Sequence, residues 1–172
     1  MRTAAVNTVE TPDGPFTVIA DDVVLGSGWT ADASQLVKLI DAAHRPNKLI
    51  TDQSGHAMRQ AMIALDAYYA GYFGPMLAVP VAYPDDSFHT DCRRQLRSVP
   101  RGRTITYSEL AFRAGNVAAA RAAATACARN PTALFLPCHR VVRADGDLGG
   151  YLYGTDLKAR LLVREGVRLA SD

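Results

Sequence analysis

The hydrophobic pattern of the chain changes at Pro84-Asp85-Asp86-Ser87, and this change limits most strongly the folds that the sequence can adopt. Before it, three stretches alternate or are rich in β-branched residues, as strands are. After it, apolar residues follow the spacing of helices. The sequence therefore predicts an α+β protein: an N-terminal domain over residues 1–84 with a small antiparallel sheet and helices, then a mostly helical domain over residues 88–172.

The first half combines strand and helix signals. Turn residues at Thr11-Pro12-Asp13-Gly14-Pro15 and at Asp21-Asp22 separate the strand-like stretches, which indicates antiparallel pairing. Apolar stripes at helical spacing then follow. We expect strands over 4–9, 16–20, 23–29 and 77–81, and helices over 33–43 and 55–70.

The second half carries the pattern of a helix-turn-helix. Thr106 and Glu109 form a capping box at the start of one helix, and Gly115-Asn116 marks its end. Asn130-Pro131 terminates the next helix. The expected helices cover 88–99, a segment beginning at Thr106, and 117–129.

The second helix of this motif is rich in alanine and can lie against DNA. Arg121, near its start, would then touch nucleic acid; the alternative is an exposed arginine on an amphipathic helix. The small alanine side chains of this helix permit either tight packing on another helix or close approach to a DNA groove. The sequence does not distinguish between these two possibilities.

The two halves differ in charge. Residues 1–87 contain five basic and ten acidic residues, a charge of −5, whereas residues 88–172 contain fourteen and seven, a charge of +7. Nine basic positions from 88 to 140 are arginines, whose guanidinium groups bind phosphate in a fork. This favours a polyanion as partner, with a solvated surface as the alternative.

Cysteine content and hydropathy indicate a reducing compartment. Three cysteines, Cys92, Cys127 and Cys138, without metal-type spacing argue against a disulfide framework and against a zinc site. Residues 1–7 lack the apolar stretch of a signal peptide, and no apolar run has membrane-spanning length. We expect a cytoplasmic protein that binds no metal and no membrane.

Cys138 and His139 are adjacent, between apolar residues. A thiol attacks only as its thiolate, so a neighbouring base that takes the proton would activate it. Adjacent side chains need not meet, however, and a buried structural cysteine beside a core histidine is the alternative.

The sequence around this pair resembles the O6-alkylguanine-DNA alkyltransferases. The resemblance covers residues 88–167 closely and the first half only in general layout. The segments 142–146 and 151–154 are most similar to the alkyltransferase half of bacterial adaptive-response proteins. The matching positions are Arg121, Asn130-Pro131, Pro137-Cys138-His139-Arg140-Val141-Val142, Gly150-Tyr151, Lys158, Leu161-Leu162 and Glu165.

The resemblance implies a methylated-DNA-[protein]-cysteine S-methyltransferase, a suicide enzyme that repairs DNA by direct reversal. Such an enzyme flips the damaged nucleotide out of the duplex and moves the alkyl group irreversibly from O6 of guanine to its own cysteine, with O4-alkylthymine as a second substrate to consider. Cys138 would be the nucleophile, and His139 would take its proton through a water. Glu165 would orient His139, while Tyr107 donates to the leaving base.

Further roles follow from the same resemblance. Arg121 would fill the gap in the base stack, with its helix in the minor groove. Asn130 would tie that helix to the active-site segment, although a helix stop before Pro131 is the alternative; for Tyr107 the alternative is simple packing. The other predicted DNA-binding residues are Thr106, Ala120, Ala122 and Arg140, and the other pocket and supporting residues are Pro137, Tyr151, Leu152, Tyr153 and Lys158.

The chain departs from the family's pattern at three places, one of which is Arg101-Gly102-Arg103 where the usual turn is Tyr-Gly-Glu. Leu152 and Tyr153 stand where many members have glycine or serine, so we expect a bulkier pocket that disfavours large O6 groups. Cys92-Arg93 replaces the usual Val-Trp, a change that we expect to alter surface and packing but not the reactive residues.

The expected partner is double-stranded DNA that contains O6-alkylguanine, bound by a monomer without cofactor. Three other functions compete. A lesion-binding relative would lack the reactive cysteine, whereas Cys138 is present. A helix-turn-helix regulator would use Cys138 structurally, and a Cys-His hydrolase would need an acyl-binding motif, which we do not find in the sequence.

Overall fold

The computed structural model describes residues 1–169 and divides into two compact units. The first unit comprises Met1–Pro84 and Pro131–Phe135; the second comprises Asp85–Asn130 and the chain from Leu136 onward. The predicted C-terminal domain over 88–172 therefore contains a five-residue segment that belongs to the first unit. Its last three residues lie outside the described part of the chain.

A four-stranded sheet is the centre of the described part of the first unit. Strands β1 (Thr3–Thr11), β2 (Gly14–Ala20) and β3 (Val24–Gly28) pair antiparallel in sequence order. Strand β4 (Lys48–Thr51) pairs parallel to β1 at the sheet edge. The sequence missed β4 because it is short and largely exposed, so it shows no alternating pattern.

Two helices, α1 (Ala33–Leu39) and α2 (His56–Tyr69), follow the antiparallel strands. Ile19, Leu25 and Leu36 belong to one buried core cluster between sheet and helix. The predicted strand over 77–81 is wrong, since Gly74–Ala78 forms a 3-10 helix with Pro75 in its first turn. Val81 does form an isolated bridge to Val24.

The second unit is mainly helical, as predicted, and the predicted α+β class is confirmed. The helix predicted over 88–99 ends at Leu96, and the chain then tightens into turns in which Ser98 N and Val99 N donate to Gln95 O and Leu96 O before Pro100. The helices of this unit are α3 (Phe88–Leu96), α4 (Tyr107–Arg113), α5 (Ala120–Ala128) and α6 (Thr155–Arg164).

Helices α4 and α5 form the predicted helix-turn-helix pair. Thr106 caps α4 by accepting from Glu109 N at 3.1 Å, but the Glu109 carboxylate bonds to Arg113 rather than completing a capping box. Helix α5 begins three residues later than predicted, because Asn116 accepts from Ala118 N and holds the preceding residues in a turn.

Two short strands bring distant parts of the second unit together. Strand β5 (Ile105–Thr106) pairs parallel with β6 (Val141–Val142). This pairing sets the start of α4 beside the segment that follows Cys138. No helix among residues 1–169 is both long and apolar enough to cross a bilayer.

Candidate active site

Cys138 begins a 3-10 turn that ends at Arg140 and leads into β6. Pro137 precedes the turn, and its carbonyl accepts from Arg140 N at 3.0 Å. Cys138 N donates to Leu136 O at 2.8 Å, so both ends of the turn are fixed by backbone hydrogen bonds. The Cys138 residue is only 5% exposed. A reacting group must therefore come to the thiol in a confined space.

Asn130 connects the end of α5 to this turn. Its buried Nδ2 donates to Leu136 O at 2.9 Å, the same carbonyl that accepts from Cys138 N. The Asn130 side chain also hydrogen-bonds the Cys138 thiol. One amide thus positions both the backbone before the cysteine and its sulfur.

The resting Cys138 side chain is a thiol. Burial raises its pKa, while the Asn130 hydrogen bond and the charge of Lys158 act in the opposite direction without cancelling that effect. A base must therefore take the proton when the sulfur reacts.

His139 and Arg140 both bind Glu165, which directly follows α6. His139 Nε2 lies 2.5 Å from Glu165 Oε2, and Arg140 Nε donates to Glu165 Oε1 at 2.6 Å. Arg140 Nη1 also donates to Val99 O at 2.7 Å. The three side chains are buried, so their charges are balanced within the protein rather than by solvent.

The electrostatics of this group leave His139 neutral and Glu165 ionised. Burial raises the pKa of Glu165, but His139 and Arg140 outweigh it and bring the pKa to about 2. Burial lowers the pKa of His139 despite the nearby carboxylate. The Glu165 carboxylate accepts from His139 Nε2–H, and Nδ1 is left as the basic nitrogen. Nδ1 is buried and has no hydrogen-bond partner among residues 1–169.

Arg140 does not lie where the sequence placed it. We predict it from the sequence as a DNA-binding residue, but its guanidinium points inward to Glu165 and Val99 O, and the residue is 6% exposed. The reason is the buried carboxylate, which needs a second donor besides His139. The carbonyl of Val99 was missed altogether, because every residue has a carbonyl and its use leaves no sequence signal.

Tyr107, the first residue of α4, faces the loop that follows β6. A Cβ on Gly149 would lie 2.9 Å from Tyr107 Oη, so only glycine allows this approach. Burial, followed by the charge that Cys127 and Cys138 would carry as thiolates, raises the pKa of Tyr107 to about 12. Its phenol is therefore protonated at neutral pH and can donate a hydrogen bond.

Lys158 also binds the backbone of this loop. Its fully buried Nζ donates to Val141 O at 2.8 Å, Leu148 O at 2.5 Å and Gly150 O at 3.3 Å. Burial lowers the pKa of Lys158. Its Nζ also lies 5.9 Å from the centre of the Tyr107 ring, a distance at which cation and ring attract each other.

The side chains of Tyr151, Leu152 and Tyr153, which follow the loop, point in different directions. The Tyr151 ring lies 6.5 Å from the His139 ring, and the Tyr153 ring lies 5.7 Å from Tyr151, both edge to face. Burial and the charge of a Cys138 thiolate raise the pKa of Tyr153. Leu152 points away and is 56% exposed. The structure therefore brings Tyr151 and Tyr153, but not Leu152, to the active-site side.

Helix α5 uses its alanines for packing and presents Arg121 to solvent. Ala123 and Ala126 are fully buried, and α5 packs on α3 and α4. Arg121 is exposed, and Ala120 and Ala122 beside it are partly exposed. The helix thus has one face for packing within the unit and another that is open to a partner. Thr106 serves as the cap of α4, at the start of the same motif.

Residues 87–167 match a family described as the DNA-binding domain of 6-O-methylguanine DNA methyltransferase. A methylated-DNA–protein-cysteine methyltransferase from Mycolicibacterium paratuberculosis is 32% identical over 158 residues, 92% of this chain and 90% of that protein. The corresponding enzyme of Methanothermobacter thermautotrophicus is 58% identical over 72 residues, and the Ada activator and repair enzyme of Escherichia coli is 45% identical over 89 residues.

These last two alignments cover 42% and 52% of this chain, and they span 40% and 25% of the respective relatives. Among solved structures, Mycobacterium tuberculosis OGT in complex with DNA superimposes with a TM-score of 0.76 at 29% identity. The superposition covers 94% of this chain and 92% of that one.

Proposed function

The chain belongs to the family of methylated-DNA–protein-cysteine methyltransferases, and we propose that it repairs DNA by moving the alkyl group from O6 of guanine to Cys138. DNA is the partner, and O6-alkylguanine in a duplex is the substrate. The observation that carries this proposal is the buried series of Cys138, His139, Glu165 and Arg140, with Nδ1 of His139 as its basic nitrogen.

The reaction begins with the Cys138 proton. His139 Nδ1 accepts it through an intervening water, while Glu165 stabilises the resulting imidazolium and Arg140 keeps that carboxylate ionised. The Asn130 hydrogen bond and the Lys158 charge favour the thiolate as it forms. Asn130 and Lys158 thus partly offset the burial that keeps Cys138 protonated at rest.

The sulfur then attacks the alkyl carbon in line with the bond to O6. A carbon–sulfur bond forms, the carbon–oxygen bond breaks, and its electron pair moves onto the guanine. The phenol of Tyr107 donates to the base as this negative charge develops, and the proton released by Cys138 finally resides on the guanine. The products are guanine in DNA and S-alkylcysteine, so each protein molecule reacts once.

Inside a stacked duplex the thiol would not reach O6, so the nucleotide must rotate into the pocket. The exposed side chain of Arg121 supports its role as the group that takes the vacated place in the stack. Tyr151 and Tyr153, beside His139, are proposed to line the pocket for the flipped base, while Pro137 and Lys158 hold its backbone. The protein acts as a monomer in this scheme.

The test uses a duplex with a single O6-methylguanine, incubated with the protein and followed by intact mass measurement. We expect one added CH2 group per protein molecule, on Cys138, and unmodified guanine in the DNA. Cys138→Ala should gain no mass, whereas Cys127→Ala, a matched control, should react as the unmodified protein does. Tight binding of the lesion without any adduct would instead indicate passive lesion recognition. O4-methylthymine in the same duplex tests the second substrate.

A further inference from the structure

Arg93 on α3 reaches across to the C-terminal end of α5. Its Nε donates to Ala126 O at 3.1 Å and its Nη2 donates to Arg129 O at 3.3 Å. These carbonyls lie at the end of the helix, where backbone acceptors have no further helical amide to bind. A cation is also favourable there, because the helix dipole places partial negative charge at this end.

The end of α5 is irregular, and this irregularity leaves an acceptor for Arg93. Asn130 N donates to Cys127 O at 3.2 Å, a tightened i to i−3 bond. In a regular helix the same amide would donate to Ala126 O. The Arg93 guanidinium supplies that carbonyl with a donor instead.

The second bond of Arg93 acts directly beside a site residue. The Arg129 carbonyl belongs to the peptide group that joins Arg129 to Asn130, and the Asn130 side chain binds both Leu136 O and the Cys138 thiol. A shift of this peptide would move the base of the Asn130 side chain. Arg93 therefore holds the backbone from which the active-site amide projects.

We infer, building on the proposed function, that Arg93 is a positioning residue for alkyl transfer: its two hydrogen bonds fix the Arg129–Asn130 peptide and thereby hold the Asn130 amide against the Cys138 thiol. Arg93 does not contact the reacting atoms. Its contribution is distinct from the general attraction of arginines for DNA, because both of its bonds end on the protein's own backbone.

The first test compares Arg93→Met with Arg94→Met. Both variants lose one charge on the same helix, but the ion pairs of Arg94 are with Asp86 and Asp91. At saturating O6-methylguanine duplex, the maximal single-turnover rate of Arg93→Met should fall about tenfold, since small displacements of positioning groups cost up to about a hundredfold. Its Kd for the duplex should change no more than that of Arg94→Met.

Arg93→Lys serves as the conservative variant, because it keeps the charge and can still donate to one of the two carbonyls. It should recover part of the lost rate, and it decides the question if Arg93→Met does not fold in a thermal melt. Equal maximal rates for Arg93→Met and Arg94→Met, or a loss confined to Kd, would overturn the inference.

A double-mutant cycle separates positioning through Asn130 from a general packing effect. If Arg93 acts through that amide, adding Arg93→Met to Asn130→Ala should slow transfer no further than Asn130→Ala alone does. Losses that multiply would show that Arg93 acts by another route and would refute the inference. Failure of the unmodified protein to transfer the methyl group would count against the proposed function instead.

Discussion

His139 Nε2 and Glu165 Oε2 lie 2.5 Å apart, and both side chains are completely buried. With Arg140 on the other carboxylate oxygen, the net charge of the three groups is zero when His139 is neutral. Taking up the Cys138 proton makes the group positive next to the thiolate that has just formed. The arrangement therefore stabilises the charge-separated state that precedes attack on the alkyl group.

Acid should weaken the fold through Glu165. Its pKa is about 2, below the ordinary value of 4.5, so its contribution to stability is complete above pH 4.5 and is lost as the pH falls toward 2. Chemical denaturation across this window should show a steeper decline in the free energy of unfolding for the unmodified protein than for Glu165→Gln. Parallel declines would contradict the assignment of an ionised Glu165.

Replacing Arg140 with methionine should affect both stability and the pH profile of transfer. Removing one partner of a buried ion pair typically costs about 3–5 kcal/mol. The charge of Arg140 also lowers the pKa of His139, so its loss should raise that pKa. His139 then becomes protonated, and unable to act as a base, at a higher pH. In the pH profile of the single-turnover rate, the acid limb should shift to higher pH. An unchanged acid limb would argue against this coupling between Arg140 and His139.

Gly149→Ala should slow transfer strongly, because the new Cβ would lie 2.9 Å from Tyr107 Oη. Gly146→Ala provides the matched control: its φ of +88° is as unfavourable to alanine as the +75° of Gly149, yet nothing lies within 4 Å of its Cβ. Both variants should lose about 1 kcal/mol of stability. Only Gly149→Ala should lower the maximal transfer rate, measured by single-turnover kinetics, by about tenfold or more.

Pocket size should depend on Tyr153 rather than on Leu152. Tyr153 packs on Tyr151 near the site, whereas Leu152 is mostly exposed. Tyr153→Gly should therefore raise the transfer rate of benzyl relative to methyl from O6 of guanine, by about tenfold, the effect of 1.4 kcal/mol. Leu152→Gly should leave that ratio unchanged. A benzyl rate above the methyl rate in the unmodified protein would contradict the expected narrow pocket.

Arg121→Ala should reduce repair of a duplex by about tenfold or more, because flipping a nucleotide costs a few kcal/mol that an inserted side chain partly offsets. Transfer from the free base O6-benzylguanine needs no flipping and should proceed at the unmodified rate. Comparing the two substrates in the same gel or mass assay shows whether the loss of rate is limited to DNA. An equal loss with both substrates would indicate damage to the pocket instead.

Local signals in the sequence account for much of the fold. Thr106 and Glu109 predict where α4 begins, since the capping residue and the amide that it accepts from are only three residues apart. The turn residues between β1 and β2 likewise predict their antiparallel pairing. These features depend on neighbours along the chain, which a pattern can show.

The contacts that complete the site depend on distant residues instead. Arg140 meets Glu165 and Val99 across 25 and 41 positions, and Arg93 meets Ala126 across 33. Nothing in the sequence near Arg140 shows that its side chain turns inward, because that direction is set by the 3-10 turn and by the Glu165 carboxylate at the end of α6. The sequence therefore identified residue types at the site better than their partners.

Residues Pro131–Phe135 belong to the first unit, and this limits where the protein can be cut into fragments or recombined with a relative. Ser27 exchanges backbone hydrogen bonds with Pro131 and Ala133, and its hydroxyl donates to Ala133 O at 2.9 Å. A fragment that starts at Asp85 would leave the Pro131 carbonyl and the Ala133 amide and carbonyl without these partners. In a chimaera of two relatives joined at residues 84–87, Ser27 would come from one parent and its partners at 131–133 from the other. Productive chimaeras should therefore exchange residues 131–135 together with the N-terminal half.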